Sequence, residues 1–255
     1  MPRLVPRPAP RARRLSAVAS ATFAVVDVET TGIDPARDRV VEVACVLVRN
    51  RQIVHAFSTL VQPGCAIPAI ASAVHGISDA MVANAPALAV IAPELETLCA
   101  DAVVVAHNAS FDLAFLPFLK TRPHLCSMRL AQRVVPDAPN YKNQGLRHHL
   151  GVDTGDLLES TPHRALGDVH VTAAILRICL DRYLAAGGTD DIDALVEHIA
   201  APVLLRTMPF GKHRGKSLAD VPSDYLQWTL KNFSDLSLDA AFSFHNELDR
   251  RMATN

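Results

Sequence analysis

Apolar residues form short runs separated by polar turns along the first two thirds of the chain, a pattern that predicts strands and helices in alternation. The first three runs are rich in β-branched residues, and the polar stretch RNRQ between the second and third predicts an antiparallel meander. Helical and strand-like segments alternate after them. We expect strands over 22–29, 40–48, 53–61, 102–106 and from 125, and helices over 86–99, 109–119 and 162–186. The predicted fold class is therefore α/β, a mixed sheet with helices on its faces.

The last quarter of the chain has a different pattern of apolar and polar residues, which predicts a second, smaller unit. Gly187-Gly188 ends the long helix and marks a linker, so we expect one domain over 22–186 and a small α+β appendage over 190–255. The segment MPFGKHRGKSLADVP predicts short paired strands around a basic loop, and helices are expected near 191–200, from Ser223, and over 238–251. Trp228, the one tryptophan, is expected to fill the small core. The loop, with Lys212, Arg214 and Lys216, fits a solvated turn and a DNA contact equally well.

The first twenty residues hold five arginines, four prolines and no acid, so residues 1–20 are expected to form a basic disordered tail. An electrostatic arm for DNA and a transit peptide are the functional alternatives. Whether this segment belongs to the native protein stays open.

Composition narrows the function classes. Hydrophobic residues make up 49% of the chain, enough for a sizeable core, and no apolar run is long enough to cross a membrane. A net charge of −1 argues against a protein that coats nucleic acid by bulk electrostatics. Five scattered cysteines without a CxxC pair predict reduced thiols, so we expect a cytoplasmic protein.

Four carboxylates and one histidine carry the candidate chemistry. They lie in VVDVETTG, AHNASFD and HRALGD, each at the edge of an apolar run, and they are Asp27, Glu29, Asp112, His163 and Asp168. Several acids gathered in one site need cations to hold them together, and carboxylate oxygens suit Mg²⁺ or Mn²⁺. A histidine with an ordinary pKa near 6.5 can act as a base at cellular pH. This arrangement is typical of a two-metal nuclease.

Local spacing supports that interpretation. Asp27 and Glu29 are two apart on a predicted strand and therefore share one face. Asp168 falls in the first turns of the last long helix, where Thr161-Pro162 is expected to form the N-terminus. Asn108 or Ser110 is expected to cap the helix that holds Asp112.

Together these motifs resemble the DEDD superfamily of 3′–5′ exonucleases, over about residues 22–186. Arg164 stands where the tyrosine subtype carries tyrosine, and His163 fits the histidine subtype. VHGISDAMVAN and, downstream, FGKHRGKSLADV followed by YLQW resemble the exodeoxyribonuclease X group within it.

The resemblance implies a ribonuclease H-like fold and hydrolysis that releases nucleoside 5′-monophosphates from DNA, single-stranded or at 3′ ends of duplex. It implies two Mg²⁺ ions, replaceable by Mn²⁺, held by Asp27, Glu29, Asp112 and Asp168, with His163 as general base. Asp27 would bridge both ions. The residues expected near the terminal nucleotide are Thr30, Thr31, Gly32, Ile33, His75 and Asn108; for His75 a structural role is equally consistent.

Alternatives remain within and beyond the same chemistry. The enzyme could trim RNA or small oligonucleotides, because the 2′-OH is recognised by details of the pocket. It could also be a polymerase-associated proofreading module, with polymerase or repair proteins as partners. Many relatives are dimers, so a homodimer is compatible with the resemblance.

Overall fold

The computed structural model describes residues 17–153 and 163–254. The chain divides into two compact units, one up to His198 and one from Ile199. The described part of the first unit has five strands: β1 (Phe23–Thr30), β2 (Val40–Arg49), β3 (Gln52–Leu60), β4 (Val103–Ala106) and β5 (His124–Cys126). The described helices are α1 (Ala69–His75), α2 (Asp79–Val82), α3 (Leu88–Leu98), α4 (Ala109–Phe115), α5 (Ser127–Val134), α6 (Asn143–His149), α7 (Ala165–Ala185), α8 (Ile192–Ala200), α9 (Ser223–Asn232) and α10 (Leu238–Thr254).

The sheet has the order β3-β2-β1-β4-β5. The first three strands pair antiparallel, as the meander predicted, while β4 runs parallel to β1 and β5 parallel to β4. Because β1 and β4 are parallel neighbours, their carboxyl ends lie at the same edge of the sheet. The residues that follow both strands therefore meet there, which brings two of the three predicted motifs together.

Strand alternation gives the sheet two faces. Ala24, Val26 and Val28 point to one face and pack in an apolar core with residues of α3 and α4. Phe23, on the opposite face of β1, lines a pocket with α7 residues such as Leu176. Asp27 and Glu29 share that face, since they differ from Phe23 by even numbers of residues. The same period of two that buries Val28 thus turns both carboxylates toward the helix that carries Asp168.

Several predicted boundaries need correction. Helix α7 begins at Ala165 with Arg164 as its N-cap, and Thr161 and Pro162 fall outside the described residues. The helix predicted over 109–119 ends at Phe115, and a single 3₁₀ turn over Pro117–Leu119 follows because Pro117 cannot continue the α-helical hydrogen bonding. Helices α1, α2 and α6 were not predicted, since they are short and lack side-chain caps.

The C-terminal unit has its own small core. Met208, Leu218, Leu226 and Phe244 are buried in it. The predicted paired strands reduce to one isolated antiparallel bridge between Thr207 and Ser217 among the described residues. The prediction for Trp228 was wrong, because its side chain is 50% exposed. Within α9, the inward positions belong to Leu226 and Thr229 instead.

Candidate active site

Three of the predicted carboxylates converge at the edge of the sheet. Asp27 and Glu29 come from the end of β1 and Asp168 from the first turn of α7. Their side chains offer oxygens that all lie within 4.8 Å of one another. A spread of that size fits a single cation contacted by three carboxylates, the ligands that Mg²⁺ and Mn²⁺ prefer. These three residues are called the carboxylate triad below.

Asp112 belongs to the same neighbourhood but is oriented differently. Its side chain is 2% exposed, and its Oδ1 accepts a hydrogen bond from the backbone N–H of Val28 at 3.3 Å. Burial raises the pKa of Asp112 to about 7, although the Val28 N–H opposes that shift. The bond ties α4 to β1 beside the triad. The carboxylate of Asp112 is therefore held by backbone N–H groups next to the three acids of the triad.

Burial and mutual repulsion dominate the electrostatics of the triad. Burial, followed by repulsion from Asp112 and Asp168, raises the pKa of Asp27 well above its ordinary value. Burial and the neighbouring acids raise the pKa of Glu29 to about 8, and burial raises the pKa of Asp168. A divalent cation would relieve this repulsion, so the donor set fits the metal that the motifs predict.

Two residues that were not predicted hold Asp168 in place. The side-chain N–H of Gln144 on α6 donates to Asp168 Oδ1 at 3.0 Å. Asn143 donates to the Asp168 carbonyl at 3.4 Å and to the Thr172 hydroxyl at 2.8 Å. Nothing in the sequence marked them, because α6 itself was not predicted.

Glu42 is the second unpredicted feature. It lies on β2 directly opposite Glu29, and its residue is only 2% exposed. The guanidinium of Arg164 donates to both carboxylate oxygens at 2.6–3.1 Å, and the Ala165 N–H donates to Oε2 at 3.0 Å. A single glutamate inside the apolar run VVEVACVLV was the available signal for it. This ion pair fastens the start of α7 to the sheet.

His163 lies immediately before Arg164, the cation of this ion pair. Its side chain is exposed, and its backbone has φ of 63°, a left-handed conformation that is uncommon for a residue other than glycine. The imidazole lies close enough to Asp168 that a positive charge on it would oppose the rise that burial causes in the pKa of Asp168. The sharp backbone turn and the exposed ring leave His163 at the mouth of the site.

The turn after β1 positions the residues expected to meet a nucleotide. Thr31 is 4% exposed and its hydroxyl donates to Asp38 at 3.1 Å, so its side chain serves the turn. Thr30 donates to the Gly32 carbonyl at 2.6 Å, and a Cβ at Gly32 would collide with the Asp38 carboxylate. Ile33 is 85% exposed. Of the predicted residues in this turn, Ile33 is therefore the side chain that a ligand can reach.

The remaining predicted residues have structural surroundings. His75 is 2% exposed at the end of α1, and its Nδ1 accepts from the Ile77 N–H at 3.0 Å. Burial lowers the pKa of His75. Asn108 occupies the N-cap position of α4 in a left-handed conformation (φ 68°), and neither it nor Ser110 makes the predicted capping hydrogen bond to the backbone. Contact of His75 or Asn108 with a nucleotide stays a prediction.

A family model described as an exonuclease, RNase T, matches residues 24–176, and a model described as a putative quorum-sensing-regulated virulence factor matches residues 197–242. Exodeoxyribonuclease 10 of Escherichia coli (strain K12) is 34% identical over 88% of this chain and 98% of its own length. DNA polymerase III subunit epsilon of Aquifex aeolicus (strain VF5) is 32% identical over 68% of this chain and 88% of its own.

Solved structures give the same result. The exonuclease X chain, in complex with 5′ overhanging duplex DNA, has a TM-score of 0.56 and 33% identity, and covers 68% of this chain and 98% of that one. The structure of exonuclease I has a TM-score of 0.61 at 16% identity, over 87% of this chain and 61% of that one, which establishes the fold alone. The ribonuclease H-like fold and the resemblance to the exodeoxyribonuclease X group are confirmed.

Proposed function

The chain belongs to the RNase T family of exonucleases, and on that premise we propose that it is a 3′–5′ exodeoxyribonuclease that releases nucleoside 5′-monophosphates during DNA repair. The carboxylate triad is the observation that carries the proposal, because three acids from two distant segments meet within 4.8 Å. A relative named exodeoxyribonuclease that matches along 98% of its length supports DNA as the substrate.

Asp27, Glu29 and Asp168 would hold the cations, with the Asp112 carboxylate beside them completing the set. Mg²⁺ is the proposed ion, with Mn²⁺ as a substitute, because all the donors are hard oxygens. When bound, such ions polarise the phosphodiester and stabilise charge on the departing oxygen. The raised pKa values of these carboxyls imply that cation binding displaces protons from them.

His163 would accept a proton from the attacking water. Its ring is exposed at the mouth of the site, where it can meet a water molecule beside the scissile phosphate. Histidine suits this role because its ordinary pKa lies near the working pH. Gln144 and the Glu42–Arg164 pair keep Asp168 and the start of α7 in place during the reaction.

The turn after β1 would receive the terminal nucleotide. Ile33 offers an exposed apolar surface against which a base or sugar can pack. Gly32 lets the backbone turn sharply beside the Asp38 carboxylate, which leaves Ile33 exposed at the surface of the turn. These contacts recognise a strand end by shape and do not depend on base sequence.

The test is a degradation assay with wild-type protein. Single-stranded DNA and RNA of one sequence, labelled at the 5′ end, are incubated with Mg²⁺, with Mn²⁺ and with chelator. We expect a ladder on DNA that needs a divalent ion and shortens from the 3′ end, and mononucleotide 5′-phosphate as the product. A phosphorothioate block at the 3′ terminus should prevent the ladder, and the same block at the 5′ terminus should not.

Other results would assign other functions. A ladder confined to RNA would make the protein an RNA-trimming enzyme. Protection by the 5′ block alone would reverse the proposed polarity. Absence of a ladder on both substrates would favour a polymerase-associated module, the reading that the similarity to a polymerase III epsilon subunit also supports.

A further inference from the structure

The C-terminal unit carries an exposed row of aromatic rings that the proposed nuclease reaction does not use. Tyr225 and Trp228 lie three residues apart on one side of α9, with ring centroids 5.8 Å apart. Phe233, just beyond the helix end, meets Trp228 edge-on at 5.6 Å and stacks on Phe210 at 5.4 Å. Trp228 is 50% and Phe233 43% exposed. We call these four rings the aromatic row.

The row is anchored and therefore rigid. Phe210 also contacts Phe244, a fully buried residue of the small core, at 6.3 Å. Leu226, between Tyr225 and Trp228 in the sequence, points into the same core. Rings fixed in this way lose little freedom when a flat ligand packs on them. Without a ligand, leaving half of the indole in water is unfavourable, because removing apolar surface from water lowers the free energy.

A cluster of cations adjoins the row. The segment 206–216 contains Arg206, Lys212, Arg214 and Lys216 and no acidic residue. Its backbone closes on itself, with the Met208 N–H donating to the Lys216 carbonyl and the Gly215 N–H to the Met208 carbonyl, both at 2.8 Å. Lys212 Nζ lies 5.0 Å from the centre of the Tyr225 ring. We call this segment the basic loop.

Gly211 and His213 place the basic loop against the Tyr225 ring of the aromatic row. Gly211 has φ of 70°, and a Cβ there would collide with the Tyr225 hydroxyl, so glycine lets the loop pack on the ring. His213 meets the same ring edge-on at 4.6 Å. In the part of the chain that the structure describes, Lys212, Arg214 and Lys216 form no ion pair. Their charges are available to an anionic ligand.

We infer that this surface binds single-stranded nucleic acid, with bases packed on Trp228 and Phe233 and backbone phosphates on the basic loop. Flat rings beside unpaired cations match a ligand that presents base faces and phosphates at short intervals. Duplex nucleic acid hides its base faces inside the stack, so it should bind only through charge. This binding goes beyond the proposed function, because it requires neither metal nor hydrolysis.

The chain supplies its own reporter. Trp228 is the only tryptophan, so tryptophan fluorescence, excited selectively, reports on this surface alone. Full-length protein in chelator, which prevents degradation, is titrated with oligo-dT, oligo-rU and a blunt duplex of about 12 nucleotides. We expect saturable quenching by one or both single strands and little by the duplex. Absence of quenching by both single strands, or equal quenching by the duplex, would overturn the inference.

Matched variants separate stacking from other effects. Phe233→Ala should weaken binding at least about fivefold, the loss of one stacked ring. Phe242→Ala removes a ring that is 42% exposed on α10 and outside the row, so it should leave binding unchanged. Binding by Trp228→Ala is measured from the fluorescence anisotropy of a labelled strand, since this variant has no tryptophan. We expect it to show the same loss of affinity, and we expect Trp228→Tyr to retain most of the wild-type affinity. Equal effects of Phe233→Ala and Phe242→Ala would contradict the stacking role.

Charge is tested in the same way. The double variant Lys212→Gln with Lys216→Gln should reduce the steepness of the plot of log K against log[salt] by about 1.4. Each phosphate contact to a single strand contributes about 0.7 to that slope. The control pair Lys120→Gln with Arg177→Gln removes two exposed charges from the first unit and should not change that slope. Identical slopes for the two pairs would refute a specific contact. The nuclease ladder is recorded in parallel: quenching without a ladder contradicts only the proposed function, and a ladder without quenching contradicts only this inference.

Discussion

His163 combines the properties that a proton acceptor at this site needs. The left-handed backbone at φ 63° turns the chain sharply just before α7, and the ring remains exposed beside Asp168. A β-branched residue would be strongly disfavoured in that conformation. The residue thus depends on the turn as well as on its imidazole.

We expect His163→Ala to lower the rate of DNA degradation by about 10²–10⁴-fold, the usual contribution of a general base. Cation binding should persist, because the triad does not include His163. Single-turnover rates on labelled DNA measure the effect. His55→Ala, which removes an exposed histidine of β3, is the control and should leave the rate unchanged. A His163→Ala rate equal to that of wild type would rule out the base assignment.

The ion pair between Glu42 on β2 and Arg164 at the start of α7 positions Asp168 relative to the acids of β1. Glu42 is directly opposite Glu29 in the antiparallel pair, so two acids would repel there without Arg164. The Arg164 guanidinium and the Ala165 N–H satisfy Glu42 at the point where α7 begins. The start of the helix, and Asp168 one turn later, therefore depend on this pair.

Glu42→Gln should reduce both stability and rate, even though Glu42 is not in the triad. Breaking a fully buried ion pair costs about 3–5 kcal/mol, and a smaller loss of about 2 kcal/mol fits here because Arg164 is partly exposed. Denaturant unfolding and kcat at a temperature far below the unfolding transition give the two readouts.

Glu247→Gln is the matched control for that prediction. It removes a carboxylate that is bound by Arg250 and Arg251 within the C-terminal unit. Stability of that unit should fall while kcat stays unchanged. If Glu42→Gln likewise leaves kcat unchanged, the pair has a structural role only.

The elements show which parts of the fold a single sequence discloses. β1, β2 and α7 were predictable because their apolar runs are long and the turns beside them carry clear signals. Asp27 and Glu29 could be placed on one face for the same reason. Helix α6 was missed because NQGLRHH has one buried apolar residue, and with it the support that Gln144 gives to Asp168 was missed too. Trp228 was misplaced because apolar character alone does not distinguish a buried position from an exposed one.

The distribution of charge in the whole protein agrees with local and not global recognition of nucleic acid. A net charge of −1 gives no overall attraction to DNA, so the proposed recognition depends on the cation site and on local basic groups. Among the described residues, no helix combines the length and apolar character that crossing a membrane requires. The five cysteines are free thiols, and Cys45 and Cys99 pack together in the core.

Repulsion within the carboxylate triad lowers the stability of the folded protein when no cation is bound. Raised carboxyl pKa values mean that the folded state binds more protons than the unfolded state, so stability falls as pH rises from about 4.5 through the folded pKa of about 8 for Glu29. In chelator, the melting temperature should therefore decrease across that window, and a divalent ion should restore it.

Asp27→Asn removes one of the repelling charges while keeping the shape of the side chain. In chelator at pH 8, its melting temperature should exceed that of wild type, by about 2–4 °C for each kcal/mol of repulsion relieved. The stabilisation by Mg²⁺ should be much smaller than in wild type. A lower melting temperature in chelator would show that Asp27 has a structural partner instead of a repulsive neighbourhood.

The nuclease ladder of that same Asp27→Asn protein is the most direct test of the account. Folded protein, verified by its melting curve, is incubated with 5′-labelled single-stranded DNA and Mg²⁺ beside wild type. We predict a 3′–5′ ladder for wild type and none above the chelator background for the variant, although the variant is the more stable of the two without metal. A variant that degrades DNA at the wild-type rate would contradict the assignment of the carboxylate triad as the metal-binding centre of a nuclease.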